Sequence, residues 1–229
     1  MVDGRQAGGV IAVDGPAGAG KSTAARHLAQ MLGYLYLDTG AMYRALAYKA
    51  LKEGVDLRDG DALCGLLEST EIDLLAAPEG GVQVILDGVD VTGVVRTPEV
   101  NASVSLVAGF ESVRREMVAR QRRLAAQSNV VMDGRDIGTV VLPRADVKFF
   151  LTASLAARAE RRHRELERLG YPSSAGRIKE EIAHRDALDS NRAVAPLARA
   201  EDAVLIDTTD MEVEEVVAAM LEICRQRLA

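Results

Sequence analysis

The sequence predicts an α/β fold in which a parallel sheet is covered by helices, with a small inserted antiparallel lobe and a short helical lid. Short apolar runs alternate with helical patterns along most of the 229 residues. Continuous apolar strands separated by helices indicate a parallel sheet that is buried on both faces. One segment with period-two alternation interrupts this order and predicts the lobe. A later stretch of glycine, proline and serine between two charged helices predicts the lid.

The predicted strands of the parallel sheet are short and rich in branched or aromatic residues. They are Val10–Val13, Tyr34–Leu37, Val130–Met132, Val147–Thr152 and Ala203–Ile206. A helix is predicted over Lys21–Leu32, soon after the first strand. The last segment places apolar residues on one side of a helix, which we expect to pack on the sheet. These residues are Val213, Val216, Val217, Met220, Leu221, Cys224 and Leu228.

The two interruptions define the predicted lobe and lid. Within Glu71–Val95, alternating runs flank Asp87-Gly88, and an Asp-Gly turn in this setting is a strong hairpin signal. Gly170–Gly176 connects two charged helices and predicts the tip of a mobile lid. We therefore predict a single domain, 1–229. It divides into a core (9–60, 98–157 and 200–229), an inserted lobe (about 61–97) and a lid region (about 158–180).

Charge and cysteine content narrow the possible partners. The chain has 28 basic and 34 acidic residues and a formal net charge of −6, which argues against nucleic acid as a partner. Only 5 of the basic residues are lysine. Arginine suits a bidentate grip on phosphates, although coding bias explains the excess equally well. Cys64 and Cys224 fit no zinc-site spacing, so free thiols in a reducing compartment are expected.

Secretion and membrane insertion are not expected. Met1–Gly9 carries one charge pair and no apolar stretch, so it does not fit a signal peptide. No apolar run in the sequence approaches the length of a membrane span. A cytoplasmic protein is therefore predicted.

A phosphate-binding loop is the strongest functional motif. Gly15–Ser22 fits G-x-x-x-x-G-K-[ST] without departure and lies between a predicted strand and a predicted helix. Its backbone N–H groups and the helix N-terminus would surround phosphate oxygens. Lys21 would reach the terminal phosphates of ATP, and Ser22 would be a ligand of Mg²⁺. The sequence thus predicts a P-loop NTPase-type fold. The residues assigned to nucleotide binding are Gly15, Pro16, Ala17, Gly18, Ala19, Gly20, Lys21, Ser22 and Thr23.

A second Mg²⁺ ligand is expected at Asp133, which follows the predicted strand Val130–Met132. A carboxylate after a strand is the pattern expected of the metal-supporting residue in phosphate-loop proteins. Aspartate also commonly ends strands, so Asp133 indicates a metal site only in combination with the phosphate loop. Together, Ser22 and Asp133 are the predicted metal ligands.

The phosphate loop alone leaves three fates of the nucleotide open. A GTPase switch needs an Asn-Lys-x-Asp stretch, which the sequence lacks. A motor ATPase needs partner surfaces, on which the sequence is silent. A kinase for a small acceptor predicts arginines that hold a second phosphate and the transferred group. Arginines that fit this prediction are Arg44, Arg135, Arg185 and Arg192. Arg158, Arg161 and Arg162 form a further basic face that ordinary helix salt bridges explain equally well.

These segments together resemble the bacterial cytidylate kinases, a branch of the nucleoside monophosphate kinases. The resemblance covers nearly the whole chain from about Val10. It rests on Gly15–Thr23, Asp38–Arg44, Arg96–Val100, Asp133–Val141 and Arg185–Pro196. It implies a core, an acceptor-binding insert and an arginine-bearing lid. It also implies ATP as phosphoryl donor, Mg²⁺ as cofactor, CMP or dCMP as acceptor, and a monomer.

The resemblance further implies a role for each acceptor-site residue. By this similarity, Arg44, Arg135 and Arg192 would hold the phosphate of CMP. Arg185, Asp189 and Ser105 would contact the sugar. Thr39, Arg114 and Asp136 would read the base, and Tyr43 belongs to the same stretch with a less definite role. Thr39 stands where some family members carry serine, and it retains the hydroxyl.

The implied base-reading pair complements cytosine. The Asp136 carboxylate suits the N4 amino donor, and Arg114 suits the N3 and O2 acceptors. Uracil reverses two of these sites, so CMP and dCMP are expected over UMP. An ion pair within the protein is the alternative explanation of Asp136. A kinase of UMP or AMP, or a non-kinase ATPase or switch protein, remains the alternative function.

The expected mechanism is direct in-line transfer from ATP to CMP without a phosphoenzyme. Lys21 and Mg²⁺ would neutralise the donor phosphates, while Arg158 and Arg162 would follow the transferred group as catalytic residues of the lid. The acceptor phosphate is already anionic near pH 7, so we assign no general base.

Overall fold

The computed structural model describes residues 9–77 and 81–228. Met1–Gly9 is not expected to be a signal peptide, and residues 1–8 of this segment lie outside the described residues. The strands are β1 (Val10–Asp14), β2 (Leu35–Asp38), β3 (Ile72–Ala76), β4 (Val82–Leu86), β5 (Val89–Asp90), β6 (Val130–Asp133), β7 (Val147–Thr152) and β8 (Val204–Asp207). The α-helices are α1 (Lys21–Leu32), α2 (Thr39–Glu53), α3 (Gly60–Glu68), α4 (Pro98–Val107), α5 (Glu111–Ala125), α6 (Leu155–Arg168), α7 (Ala175–Asn191) and α8 (Val213–Arg227). Val94–Arg96 forms a 3₁₀ turn and Ile137–Val141 a π-helical turn.

The main sheet is parallel and has five strands in the order β2-β6-β1-β7-β8, which confirms the predicted fold class. Its central strand β1 is buried along its whole length, as its continuous apolar sequence indicates. Because all strands run the same way, their carboxyl ends meet at one edge of the sheet. Register places Asp38 beside Asp133 and Asp133 beside Val13. The aspartates that end β1, β2 and β6 therefore converge at this edge.

Helices cover both faces of the main sheet, and the alternation of side chains along β1 separates the two layers. Ile11 and Val13 face a hydrophobic cluster formed with α1 and α8, in which Leu28 and Met220 are buried. Val10 and Ala12 face a second cluster that includes Ala125 of α5. The predicted packing of the C-terminal helix onto the sheet is thus confirmed.

The inserted lobe contains an antiparallel sheet in the order β3-β4-β5. Its turn is Asp87-Gly88, with φ of 49° and 79°, and two positive φ values are the requirement of a tight two-residue hairpin turn. The hairpin prediction is confirmed. This sheet shares one hydrophobic core with α2, α3, α4 and α5, in which Leu63, Val104 and Met117 are buried. Helices α4 and α5 pack with the lobe, although they follow the predicted boundary at residue 97, which stays a prediction.

The predicted lid region, about 158–180, covers most of α6, a short connection and the start of α7. The two helices pack against each other through Ala159, Leu166, Ile178 and Ile182. The connection is shorter than the predicted Gly170–Gly176, because α7 already begins at Ala175. None of the helices within 9–77 and 81–228 is both long and apolar enough to cross a membrane.

A matched pair of methionine substitutions tests the core of the lobe. Met117 is 0% exposed and Met31 is 60% exposed, although both lie in helices. Met117→Ala is expected to lower the free energy of unfolding by about 2–5 kcal/mol, because it leaves a cavity in a packed core. Met31→Ala should change it by less than about 0.5 kcal/mol. Urea denaturation followed by circular dichroism measures both, and equal effects would contradict the described packing.

Candidate active site

The phosphate loop connects β1 to α1, as the sequence predicts. Gly15 and Gly18 have φ of 143° and 78°, which side chains rarely tolerate. A Cβ atom on Gly15 would overlap the carbonyl oxygen of Leu151, and one on Gly18 would lie 3.0 Å from the Cβ of Arg158. The helix α1 begins at Lys21, so its N-terminal N–H groups and partial positive charge lie at the end of the loop. The loop therefore has the backbone needed to surround an anion.

Lys21 is buried within this loop. Its side chain is only 5% exposed, and its Nζ donates a hydrogen bond to the carbonyl oxygen of Pro16 at 2.7 Å. Burial, and next the positive charge of Arg135, lower the pKa of Lys21 to about 7. The charge of Arg185 acts in the same direction. These influences place Lys21 in the same electrostatic environment as the arginines expected to bind the acceptor.

Asp133 connects the phosphate loop to the neighbouring strand β2. Its carboxylate accepts hydrogen bonds from the Ser22 hydroxyl at 2.8 Å and from the Tyr36 hydroxyl at 2.7 Å. Its backbone carbonyl accepts a hydrogen bond from the Thr39 hydroxyl at 2.7 Å. Burial, and then the nearby charge of Asp38, raise the pKa of Asp133. Ser22 and Asp133, the two predicted metal ligands, are therefore in contact. The role of Tyr36 was not predicted.

Asp38 holds two arginines at the carboxyl edge of the sheet. Its carboxylate accepts hydrogen bonds from Arg44 at 2.8 Å and Arg96 at 2.9 Å, and from the backbone N–H of Ala41. Burial acts to raise the pKa of Asp38, but the charges of Arg44 and Arg96 lower it overall. The Nε of Arg44 is buried and has no hydrogen-bond partner among the described residues. Arg44 thus retains one buried donor that no described residue uses.

Asp189 accepts hydrogen bonds from residues that the family resemblance assigns to the binding of CMP. One carboxylate oxygen accepts from the Arg135 Nε at 2.9 Å, and the other accepts from the Ser105 hydroxyl at 3.0 Å. The Nε of Arg185 donates to the same hydroxyl at 3.3 Å. Burial, followed by the charge of Arg135, lowers the pKa of Arg185 to about 10. The α4 helix, the α7 helix and the loop after β6 meet at this carboxylate.

The residues expected to read the base form a buried ion pair. Arg114 and Asp136 have side chains that are 4% and 7% exposed, and the Arg114 guanidinium donates to the carboxylate of Asp136. The Nη2 of Arg192 donates to the other oxygen of that carboxylate at 3.2 Å. The Arg114 guanidinium carbon also lies 5.8 Å from the ring centre of Tyr43. Thr39 lies close to this loop, because a Cβ on Gly134 would be 2.7 Å from its hydroxyl.

The basic face of α6 contacts the phosphate loop at one end. Arg158 donates to the carbonyl oxygen of Ala17 at 3.1 Å and forms an ion pair of 2.6 Å with Asp186 of α7. Arg161 donates to the backbone carbonyl and hydroxyl of Thr208, after β8. Arg162 pairs with Glu165 on its own helix at 2.7 Å. Of the two predicted lid arginines, Arg158 thus touches the loop directly, whereas Arg162 has a local partner.

The structure brings several of the predicted site residues into contact, and their assigned roles stay predictions. Arg135 and Arg185 influence Lys21, and Arg44 and Arg162 influence Arg185, so donor-side and acceptor-side cations share one region. Arg192, which is expected to hold the acceptor phosphate, contacts the carboxylate of Asp136, which is expected to read the base. Residues that sequence reasoning left without a role are Asp14, Tyr36, Asp38, Arg96 and Asp186. A carboxylate directly after an apolar strand was the available signal for Asp14 and Asp38.

Comparison with known proteins identifies the family of this chain. The family model described as cytidylate kinase matches residues 11–226. A cytidylate kinase from Geobacillus kaustophilus is 56% identical over 218 residues, covering 95% of this chain and 97% of that protein. Cytidylate kinases from Shouchella clausii and Bacillus velezensis are 54% and 52% identical, covering 94% and 95% of this chain and 96% of each relative. The chain therefore belongs to the cytidylate kinase family.

Proposed function

We propose that the protein transfers the γ-phosphoryl group of ATP to CMP or dCMP. The observation that carries this proposal is that the complete phosphate loop and arginines expected to bind the acceptor lie in one region, since the charges of Arg135 and Arg185 act on the buried Lys21. The membership of the chain in the cytidylate kinase family supports the same activity. Each residue proposed to contact substrate belongs to this chain, so a monomer would suffice for activity. We expect it to act in the cytoplasm without nucleic acid or membrane partners.

The phosphate loop forms the donor side of the proposed site. Backbone N–H groups of Gly15–Thr23 and the start of α1 would bind the β- and γ-phosphates of ATP. The charge of Lys21 would follow the terminal phosphates. Ser22 and Asp133 would hold Mg²⁺, because their adjacent hydroxyl and carboxylate oxygens are the hard ligands this ion prefers. When bound, Mg²⁺ neutralises charge on the phosphates. Burial raises the pKa of Asp133, and a cation bound beside this carboxylate would favour its ionised form.

The arginines form the acceptor side. Arg44 and Arg135 would donate to the phosphate of CMP. The Nε of Arg44, which has no partner among the described residues, would provide one donor without breaking an existing ion pair. Arg192 would contribute from its place beside Asp136. Ser105, Arg185 and Asp189 would contact the sugar. Planar guanidinium groups suit phosphate oxygens because they donate two parallel hydrogen bonds.

The Arg114–Asp136 pair would select cytosine. The carboxylate accepts from the N4 amino group, and the guanidinium donates to N3 and O2. Thr39 and Tyr43 would complete the base site, because Thr39 lies beside Gly134 and Tyr43 beside Arg114. Uracil would place its O4 carbonyl against the carboxylate, leaving buried polar groups without partners. We therefore propose preference for CMP and dCMP over UMP.

Transfer would occur in line, directly between the two nucleotides. Positioning and electrostatic stabilisation suffice for phosphoryl transfer, and the acceptor oxygen is already anionic near neutral pH. Arg158, held between Ala17 and Asp186, is proposed to follow the transferred group together with Arg162. Closure of the lid would exclude water and so prevent hydrolysis of ATP.

A nucleotide panel tests the proposed function. ADP formation is measured with ATP and Mg²⁺ alone, and then with CMP, dCMP, UMP, GMP or AMP added. ADP formation should depend on the presence of an acceptor. The value of kcat/KM for CMP or dCMP should exceed that for UMP by about tenfold or more. Acceptor-independent ATP hydrolysis would favour an ATPase or switch protein. Equal turnover with UMP or AMP would contradict the base assignment.

Substitution and pH dependence at Lys21 test the donor side. Lys21→Ala should lower kcat by about a hundredfold or more while the protein remains folded. In the free protein the pKa of Lys21 is about 7, so the side chain is mostly neutral at pH 8.5. Because bound phosphates favour the charged form, ATP binding at that pH should take up about one proton. ATP affinity should fall by up to about tenfold per pH unit above 7.

Calorimetry in buffers with different ionisation enthalpies measures this proton uptake. Lys21→Met is the matched control, since it retains much of the side-chain length without a titrating amine. The variant should bind ATP more weakly and take up no proton at pH 8.5. Wild-type binding without proton uptake would contradict the role assigned to Lys21.

Asp136→Asn tests base recognition while preserving the shape of the side chain. Loss of the charge weakens acceptance from N4 and leaves Arg114 and Arg192 with a poorer partner. The ratio of kcat/KM for CMP to that for UMP should fall by about tenfold, while KM for ATP changes little. Asp202→Asn removes a carboxylate paired with Lys148 elsewhere and should leave the ratio unchanged. An unaltered ratio in Asp136→Asn would show that another residue reads the base.

A further inference from the structure

Asp14 is the last residue of β1 and is buried, with 3% of its surface exposed. Its Oδ1 accepts a hydrogen bond from the backbone N–H of Ile137 at 2.8 Å, and its Oδ2 accepts from that of Gly138 at 2.7 Å. These two N–H groups begin the π-helical turn Ile137–Val141. The first N–H groups of a helical turn have no partner within the turn. Asp14 supplies that partner from a distant part of the chain.

Strand β1 contacts the backbone on both sides of Arg135 and Asp136, the two residues that precede this turn. The carbonyl oxygen of Val13 accepts from the backbone N–H of Gly134 at 3.0 Å, which continues the pairing of β1 with β6. Two consecutive β1 residues therefore fix the chain on both sides of Arg135-Asp136.

The short distance between the Asp14 carboxylate and the backbone of Gly138, and the charge of that carboxylate, both favour these hydrogen bonds. A Cβ on Gly138 would lie 3.3 Å from Asp14 Oδ2 and 3.1 Å from the Cδ of Lys148, so glycine allows the carboxylate to reach the backbone. Burial raises the pKa of Asp14 to about 6, although the bonds from Gly138 and Ile137 oppose this increase. The carboxylate is thus mainly ionised at neutral pH. Ionised acceptors form stronger hydrogen bonds than neutral ones.

Asp14 is also directly followed by Gly15, the first residue of the phosphate loop. We propose that Asp14 is a positioning residue for phosphoryl transfer, whose carboxylate fixes the loop carrying Arg135 and Asp136 relative to the phosphate loop. One side chain then sets the spacing between the acceptor-binding and donor-binding segments. Transfer rates are sensitive to such spacing, because the reacting atoms must be held close and in line. This inference rests on the proposed function.

Asp14→Asn tests the proposal. The amide oxygen can keep one of the two hydrogen bonds, but the amide nitrogen would face the other backbone donor. The Kd for CMP should rise by about tenfold, and that for ATP by less than about threefold. Asp146→Asn is the matched control, because its carboxylate accepts the backbone N–H of Val10 at the opposite end of β1. That variant should leave both Kd values unchanged.

A second variant leaves Asp14 intact. Gly138→Ala would place a methyl group against the carboxylate and should weaken CMP binding by about threefold or more, again with little effect on ATP. It keeps the proposal testable if Asp14→Asn does not fold. Equal losses for both nucleotides, or unchanged CMP binding in a folded variant, would overturn the positioning role.

Nuclear magnetic resonance provides a readout that does not depend on the substrate. In ¹⁵N-labelled wild-type protein, the amide protons of Ile137 and Gly138 should resonate downfield, because they donate to a carboxylate. In Asp14→Asn they should move upfield, whereas Asp146→Asn should not shift them. Resonances unchanged in Asp14→Asn would overturn the proposal. Failure of the proposed function would instead appear in the wild-type protein, as absent CMP binding.

Discussion

Buried carboxylates at the carboxyl edge of the sheet make the rest of the site possible. Asp14, Asp38 and Asp133 end three neighbouring strands, and each accepts hydrogen bonds from segments far away in sequence. A cleft that binds two nucleotides needs many cations close together, and these repel one another when no ligand is present. Burial, and after it the charge of Arg135, lowers the pKa values of Lys21 and Arg185. Nearby carboxylates offset this repulsion, and they bind Arg44, Arg96 and Arg135 directly.

This arrangement connects stability to function. Arginines fixed before the substrate arrives do not need to be ordered during the reaction, which is the advantage of a preorganised electrostatic site. Asp38 orients Arg44 by accepting a hydrogen bond from the arginine Nη2. The Nε of Arg44 has no partner among the described residues. Asp189 orients Arg135 in the same way from the α7 helix. Because α7 packs against α6, this ion pair also connects the two helices to the loop after β6.

Local sequence patterns predicted much of the fold. The apolar run of β1, the phosphate loop and the Asp87-Gly88 hairpin each depend on neighbouring residues, and the structure confirms them. Strand ends were less accurate. Four predicted strands stop one residue too early, before Asp14, Asp38, Asp133 and Asp207. An aspartate is a poor strand residue by propensity, but at the edge of this sheet the first three of these carboxylates find hydrogen-bond donors from elsewhere in the chain.

The candidate site was less predictable because its contacts are distant in sequence. Arg96 reaches Asp38 across 58 positions, and Gly138 reaches Asp14 across 124. No local pattern specifies such pairs, and the family resemblance named residues without naming their counter-charges. The contact of Arg192 with Asp136, across 56 positions, is of the same kind.

A crystal structure with CMP, Mg²⁺ and a non-hydrolysable ATP analogue tests most directly whether one cleft seats both nucleotides end to end. We expect the CMP phosphate to contact Arg44 and Arg135, and cytosine to contact Arg114 and Asp136. An acceptor oxygen should lie in line with the γ-phosphate beside Lys21, at about 3–3.5 Å from phosphorus. A CMP molecule bound away from these arginines, or with its phosphate facing away from Lys21, would contradict the two-nucleotide cleft.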